Sequence, residues 1–208
     1  MKFVRLLIVF AVLAIMGIAL LIGSIKDKAE LAKPRGDLET MTEDDFYNGR
    51  FVEGTIYELW DNFADMEEYD STFGIKHNTR VTAQYYALPI PALDEYKFVA
   101  LALSDSSQQS IAERMVKEID AFFEDGTIPE TTIQIKGKVT KLSGDGLEYL
   151  QEYAVGMGLE PSDVVAFTIN DGNDGSGSGG MLVIAIVLTV IGLGGAAFVI
   201  IRKVISGK

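Results

Sequence analysis

The sequence predicts an α+β fold flanked by two transmembrane helices. Three observations predict it. Two stretches carry no charge, residues 6–23 (LLIVFAVLAIMGIALLIG) and 181–201 (MLVIAIVLTVIGLGGAAFVII). All 30 acidic residues of the 208-residue chain lie between them. The chain between also alternates β-branched and aromatic residues with polar ones, interrupted by one long amphipathic helical pattern.

About 20 helical residues, rising 1.5 Å each, cross a hydrocarbon core of about 30 Å. The uncharged runs, 18 and 21 residues long, meet that requirement. Lys2 and Arg5 precede the first run. Its apolar core exceeds the roughly 7–15 residues of a signal peptide, and no A-x-A-like site follows in LLIGSIKDKAE, so an uncleaved signal anchor is expected. The expected organisation is a tail (1–5), a first transmembrane helix (6–23), a connector (24–47), a β-rich domain (48–170), a Gly/Ser/Asp linker (171–180), a second transmembrane helix (181–201) and a basic tail (202–208).

Basic residues set the expected orientation. Lys2 and Arg5 lie before the first span, and Arg202, Lys203 and Lys208 after the second. The linker DGNDGSGSGG has none, whereas Lys26, Lys28, Lys33 and Arg35 follow the first span and oppose the assignment. Both termini are expected in the cytoplasm and residues 24–180 outside it, in a two-pass cell-membrane protein. The segment between the spans holds 13 basic against 30 acidic residues, a net charge of −17. Such a surface repels phosphate backbones, so nucleic acid is not an expected ligand. The absence of cysteine excludes disulfides, thiolate metal sites and Cys nucleophiles.

Each element has its own signal. Pro34-Arg35-Gly36 breaks the connector, and TEDDF reads as a short helix capped by Thr42. RFVEGTIYELW alternates, with Val52, Ile56 and Trp60 on one face. DNFADMEEYD reads as a solvated hairpin tip, with His77 in a loop. RVTAQYYALPIP is a strand stopping at Pro89 and Pro91, and YKFVALAL a buried strand. In SDSSQQSIAERMVKEIDAFFEDG, Ser104 or Asp105 caps a helix that turns Ile111, Met115, Ile119 and Phe122 inward and ends at Gly126. TTIQIKGKVTKL alternates, with Ile133, Ile135 and Val139 inward. GDGLEYLQEYAVGMG is a short helix facing Leu147, Leu150, Ala154 and Met157 to the core, and DVVAFTIN is the last strand.

Five strands with a helix after the third predict either an OB-like five-stranded barrel or an open mixed sheet, with one long and one short helix. In the barrel the first and fourth strands pair. VEGTIYEL and IKGKVTKL share a mid-strand glycine, Gly54 and Gly137, which marks a bulge or bend. Glu53 and Glu58 on one strand oppose Lys136, Lys138 and Lys141 on the other.

No nucleophile elbow, zinc-binding helix, phosphate loop or dinucleotide fingerprint occurs. His77 is the sole histidine, and no cofactor is expected. Exposed aromatic residues Tyr57, Trp60, Tyr85 and Tyr86 are a candidate ligand or partner surface. Asp61, Asp65, Glu67 and Glu68 are a candidate weak cation cluster. The linker fails the EF-hand template, because Gly175 stands where a ligand is needed. In the spans, Gly192 with Ala196, and Ala11, Ala14 and Gly17, are candidate helix-packing residues, within one chain or between copies of a homo-oligomer. Neither span holds an interior ionisable residue, which argues against ion or proton transport.

NGRFVEGTIYELWDNFA, TAQYYALPIP and YKFVALAL, with the two anchors, resemble uncharacterised small two-span membrane proteins of Gram-positive bacteria. The resemblance spans about residues 48–170 and rests on the short pattern G-x-[FY]-V-x-G; it carries over no functional residue. The expected partners are the bilayer and a membrane or envelope protein, and the expected role is that of a non-enzymatic binding or accessory module. A carboxylate- or cation-dependent hydrolase or transferase is the alternative, and a small oligomeric pore the second.

Overall fold

The computed structural model describes residues 2–72, 75–90 and 97–206. Pro91, Tyr96 and Lys208, used above, lie outside them. The chain divides into a helical unit, built from α1 (Lys2–Leu31) and α4 (Ser178–Ser206), and a sheet unit, Pro34–Asp174.

Both helices are long and apolar enough to cross a membrane. Each outruns its uncharged stretch. Lys, Ala, Glu and Leu are strong helix formers, so α1 continues through KDKAEL to Leu31. α4 begins at Ser178, inside the segment expected as a flexible linker, which shrinks to residues 172–177. The two helices run antiparallel: Gly17 abuts Thr189, Ala14 abuts Gly192 and Phe10 abuts Gly195. At one end the Lys203 ammonium lies 4.4 Å from the Phe3 ring centroid.

The sheet unit runs β1 (Gly36–Asp37), a 3-10 turn (Glu43–Asp45), β2 (Phe51–Ile56), β3 (Asn62–Thr72), β4 (Ile75–Pro89) and β5 (Phe98–Leu103). It continues with α2 (Ser106–Asp125), β6 (Ile133–Lys141), α3 (Asp145–Gly156), a second 3-10 turn (Pro161–Asp163) and β7 (Val164–Asp171). Seven strands form one sheet in the order β1-β2-β6-β7-β5-β4-β3. The β1–β2 and β5–β7 pairs are parallel and the rest antiparallel. The fold is therefore α+β with an open mixed sheet; the OB-like barrel is not formed. The reason lies in β5, buried along its whole length. Val99, Leu101 and Leu103 enter one core, while Phe98 and Ala100 enter a second on the opposite face. Ala112 and Met115 of α2 complete the first core, and Leu150 and Ala154 of α3 the second. A sheet covered on both faces has no lumen to enclose.

β2 and β6 do pair, with Gly54 opposite Ile135 and Gly137 opposite Val52. The glycines mark no bulge there, since the register runs unbroken. They permit close approach instead: a Cβ on Gly137 would fall 2.6 Å from the Asn170 carbonyl oxygen, and one on Gly54 3.0 Å from Leu38 Cβ. Glu53 sits opposite Lys136 with 3.7 Å between charged groups.

Other expectations are corrected. The acidic stretch 62–72 is strand β3 rather than a hairpin tip, and His77 lies within β4 rather than in a loop. Beyond the Gln84–Leu103 pair, no β5 residue pairs with β4, so β3 and the first half of β4 form a two-stranded ribbon. Residues 65–70 have water on both faces and show none of the apolar alternation that marks half-buried strands. Trp60 does not share a core with Val52 and Ile56; it packs in the second core, edge-on to Phe98 at 4.8 Å. Phe122 and Met157 are exposed, and Ala112 takes the inward place on α2. Asp105 caps α2 by accepting from the N–H groups of Ser107 (2.8 Å) and Gln108 (3.2 Å), and Gly126 closes it with φ +80°. Thr42 caps a single 3-10 turn, its N–H and hydroxyl both donating to Asp45 Oδ2 at 2.9 Å. These bonds, the backbone one foremost, hold the Asp45 carboxyl below its usual pKa.

Candidate functional site

β1 is short because its chain folds back. The Thr40 and Met41 N–H groups both donate to the Asp37 carbonyl at 3.0 Å, and Glu39 N–H donates to Asp37 Oδ1 at 3.0 Å. The last bond along the β1–β2 edge runs from Leu38 N–H to the Glu53 carbonyl, 3.1 Å. Residues two apart present their main-chain groups to the same edge of a strand. Thr55 therefore points its N–H and C=O to the edge that β1 leaves uncovered among the described residues.

A groove of about 290 Å³ opens beside that edge. Leu38, Ile56, Leu88 and Ile90 form its floor, each 3–5% exposed, and all four belong to the first core. The rim carries Tyr57, 60% exposed, and the carboxylates of Glu39 and Glu58. No Lys or Arg lines it among the described residues. Glu58 is positioned by Trp60, whose Nε1–H donates to Glu58 Oε1 at 2.5 Å. An apolar floor, an acidic rim and an open strand edge thus meet in one place.

The four aromatic residues singled out in the sequence are placed differently from one another. Tyr57 is on the groove. Trp60 is half-buried between Phe98 and Phe123, the latter at 6.1 Å. Tyr85 is half-buried, 6.1 Å from Phe63, and burial raises its pKa. Tyr86 is buried, donates to Gln84 Oε1 at 2.9 Å, and is pushed up to about 12 by burial and then by the nearby carboxylates of Glu113, Asp65 and Asp61.

The four carboxylates are strung along the sheet edge. Asp61 Oδ1 accepts from Asn62 N–H at 2.8 Å, and Asp65 Oδ1 from the Asn62 amide at 2.9 Å. Glu67 stands opposite Val81, and Glu68 pairs with Arg80 at 2.9 Å. His77 stands opposite Asp70. An open cleft on the ribbon takes in Glu67, Glu68 and Asp70 but not Asp61, Asp65 or His77. Among the described residues no three His, Asp or Glu side chains gather closely enough to hold a metal ion.

In the helical unit Ala14, Gly17 and Gly192 are buried between the helices, Ala196 is half-buried and Ala11 is exposed. A Cβ on Gly192 would fall 2.3 Å from the Ala14 nitrogen.

Sequence reading reached Tyr57 but missed the groove. Its floor joins Leu38, Ile56 and the Leu88–Ile90 pair, separated by 18 and more positions, and no local pattern links them.

The chain belongs to the family described as a domain of unknown function, DUF8577, whose model matches residues 2–202. No curated protein matches it.

Proposed function

We propose that this DUF8577 member is a two-span membrane protein that holds its sheet unit outside the cytoplasm as a non-enzymatic binding or accessory module, serving a membrane or envelope protein. The observation that carries the reading is the division of the chain: a sheet unit with its own two cores, set between two helices apolar enough to span a bilayer. The basic tail RKVISGK after the second span, against a linker without Lys or Arg, supports cytoplasmic termini. The carboxylates that a hydrolase would bring together with His77 are instead spread from Asp61, just before β3, along β3 to Glu68.

Topology tests the reading, and the absence of native cysteine makes the assay clean. Ser176→Cys in intact cells is expected to react with a membrane-impermeant maleimide. Reaction only after lysis would put the sheet unit in the cytoplasm and overturn the assignment.

A further inference from the structure

We infer that the groove beside β2 binds an extended segment of a partner protein, an aliphatic residue flanked by Lys or Arg, which adds as a short strand to the open edge at Thr55. This rests on the binding-module reading above and names the site and the chemistry of the partner.

Three features converge on that occupant. The β1–β2 ladder ends at the bond from Leu38 to Glu53, and the chain then turns away, so the main-chain groups of Thr55 face an edge that no described residue pairs with. An extended backbone satisfies such an edge, as in other cases of strand addition. The floor beneath it is an opening into the larger core, made by Leu38, Ile56, Leu88 and Ile90. One aliphatic side chain entering it would remove apolar surface from water on both partners. The rim bears Glu39 and Glu58 with no basic side chain beside them among the described residues, so positive charge is favoured on either side of the inserted residue.

The opposite edge of the sheet is a poorer receptor. β3 has three breaks in its register, and bulges and charges of this kind are how exposed edges resist strand addition. A second copy of the chain pairing there would set rows of carboxylates against each other. β2 carries neither device over Gly54–Ile56, where its pairing with β6 is regular.

The site has an internal reporter. Trp60, the sole tryptophan, donates to Glu58 on the rim. A bound cation that engages Glu58 alters the surroundings of the indole, so occupancy reads out as a change in its emission.

The test uses the full chain in lipid nanodiscs and a positional-scanning library of acetylated, amidated pentapeptides lacking Trp. Val, Leu or Ile is expected to be selected at the centre, with Lys or Arg beside it. The best peptide should lose about tenfold in affinity when the amide facing Thr55 is N-methylated, and about fivefold with Glu39→Gln. Glu39 is exposed, so this variant leaves the core intact. Glu39→Lys should switch the flanking preference to Asp or Glu. A flat selection profile, a preference unmoved by Glu39→Lys, or an equal response to decanoate, which has no peptide backbone, would overturn the inference. Maleimide labelling at Ser176 is independent of the groove: external labelling with a flat profile removes the groove alone, whereas internal labelling removes the envelope role and leaves the peptide result standing.

Discussion

The guanidinium of Arg35 donates a 2.8 Å hydrogen bond to the carbonyl oxygen of Asp174, across 139 positions of sequence. These residues lie at the two ends of the sheet unit, so the chain enters and leaves it at one place. Arg35 is held there by Glu53 at 3.6 Å and by the Phe51 ring, whose centroid is 5.7 Å away.

Arg35→Met should therefore loosen the sheet unit while keeping an unbranched apolar stem. A hydrogen bond from a charged donor contributes more than a neutral one, and partial exposure reduces it here, so the loss is about 1 kcal/mol. Thermal unfolding followed by Trp60 emission should show the midpoint falling by about 4 °C. An unchanged midpoint would mean that the junction is held by other contacts.

Gly137 and Gly54 look alike in sequence and should differ in tolerance. Gly137→Ala drives its methyl against the Asn170 main chain in the middle of the sheet, where neither strand can yield. A cost of about 3 kcal/mol is expected. Gly54→Ala meets mainly the Leu38 side chain and should cost about 1 kcal/mol or less. Denaturant midpoints for the two variants at constant m-value check the ranking.

The helical unit has its own test. Gly192→Leu forces a large side chain into the seam at Ala14 and should separate α1 from α4. Phe10→Cys with Gly195→Cys places a thiol pair farther along the same seam. Its oxidative cross-linking in lipid should slow by about tenfold when Gly192→Leu is added, which corresponds to about 1.4 kcal/mol. Gly23→Leu, at a glycine with open space around it, should leave the rate unchanged.

Acid should weaken the caps of α2 and its tie to residues 130 and 131. Glu118 accepts from the hydroxyl and N–H of Thr131 and from Glu130 N–H, and these bonds lower its pKa below 4.5. Ser107 does the same to Asp105, and Thr127 to Asp125. Carboxyls with depressed pKa values give stability that is present above their unfolded values and lost as pH falls through the folded ones. The Trp60 unfolding midpoint should thus fall as pH drops below about 4.5, and Glu118→Gln should flatten part of that fall. Asp171 has the opposite sign. Burial raises its pKa, so its contribution is greatest below the unfolded value of 3.8 and is lost as pH rises through the folded one. Asp171→Asn should raise the midpoint at pH 7, with the gain vanishing in acid.

Much of the fold was legible where a strand or helix has one wet face or none. β5 is a near-continuous apolar run, β6 alternates, and α2 repeats at helical spacing, and all three stand where those patterns put them. Glu53 and Lys136 even fall opposite one another as the matched charges suggest. The ribbon of β3 and β4 was not legible, because residues 65–70 are exposed on both sides and a strand wet on both faces leaves no period-two signal. β1 is two residues long and has no pattern to read. Sheet order was hidden for another reason: β7 sits between β6 and β5, a long-range choice that no window of sequence contains. The groove was hidden with it, since Leu38 and Leu88 become neighbours only once the sheet is assembled.

The central position of β7 also bears on how the protein is made. It is the last strand to leave the ribosome, yet it alone joins β1-β2-β6 to β5-β4-β3. Until it emerges, β1-β2-β6 and β5-β4-β3 have no strand between them to pair their facing edges. Joining the two halves of the sheet therefore waits on β7, with α4 synthesised immediately behind it.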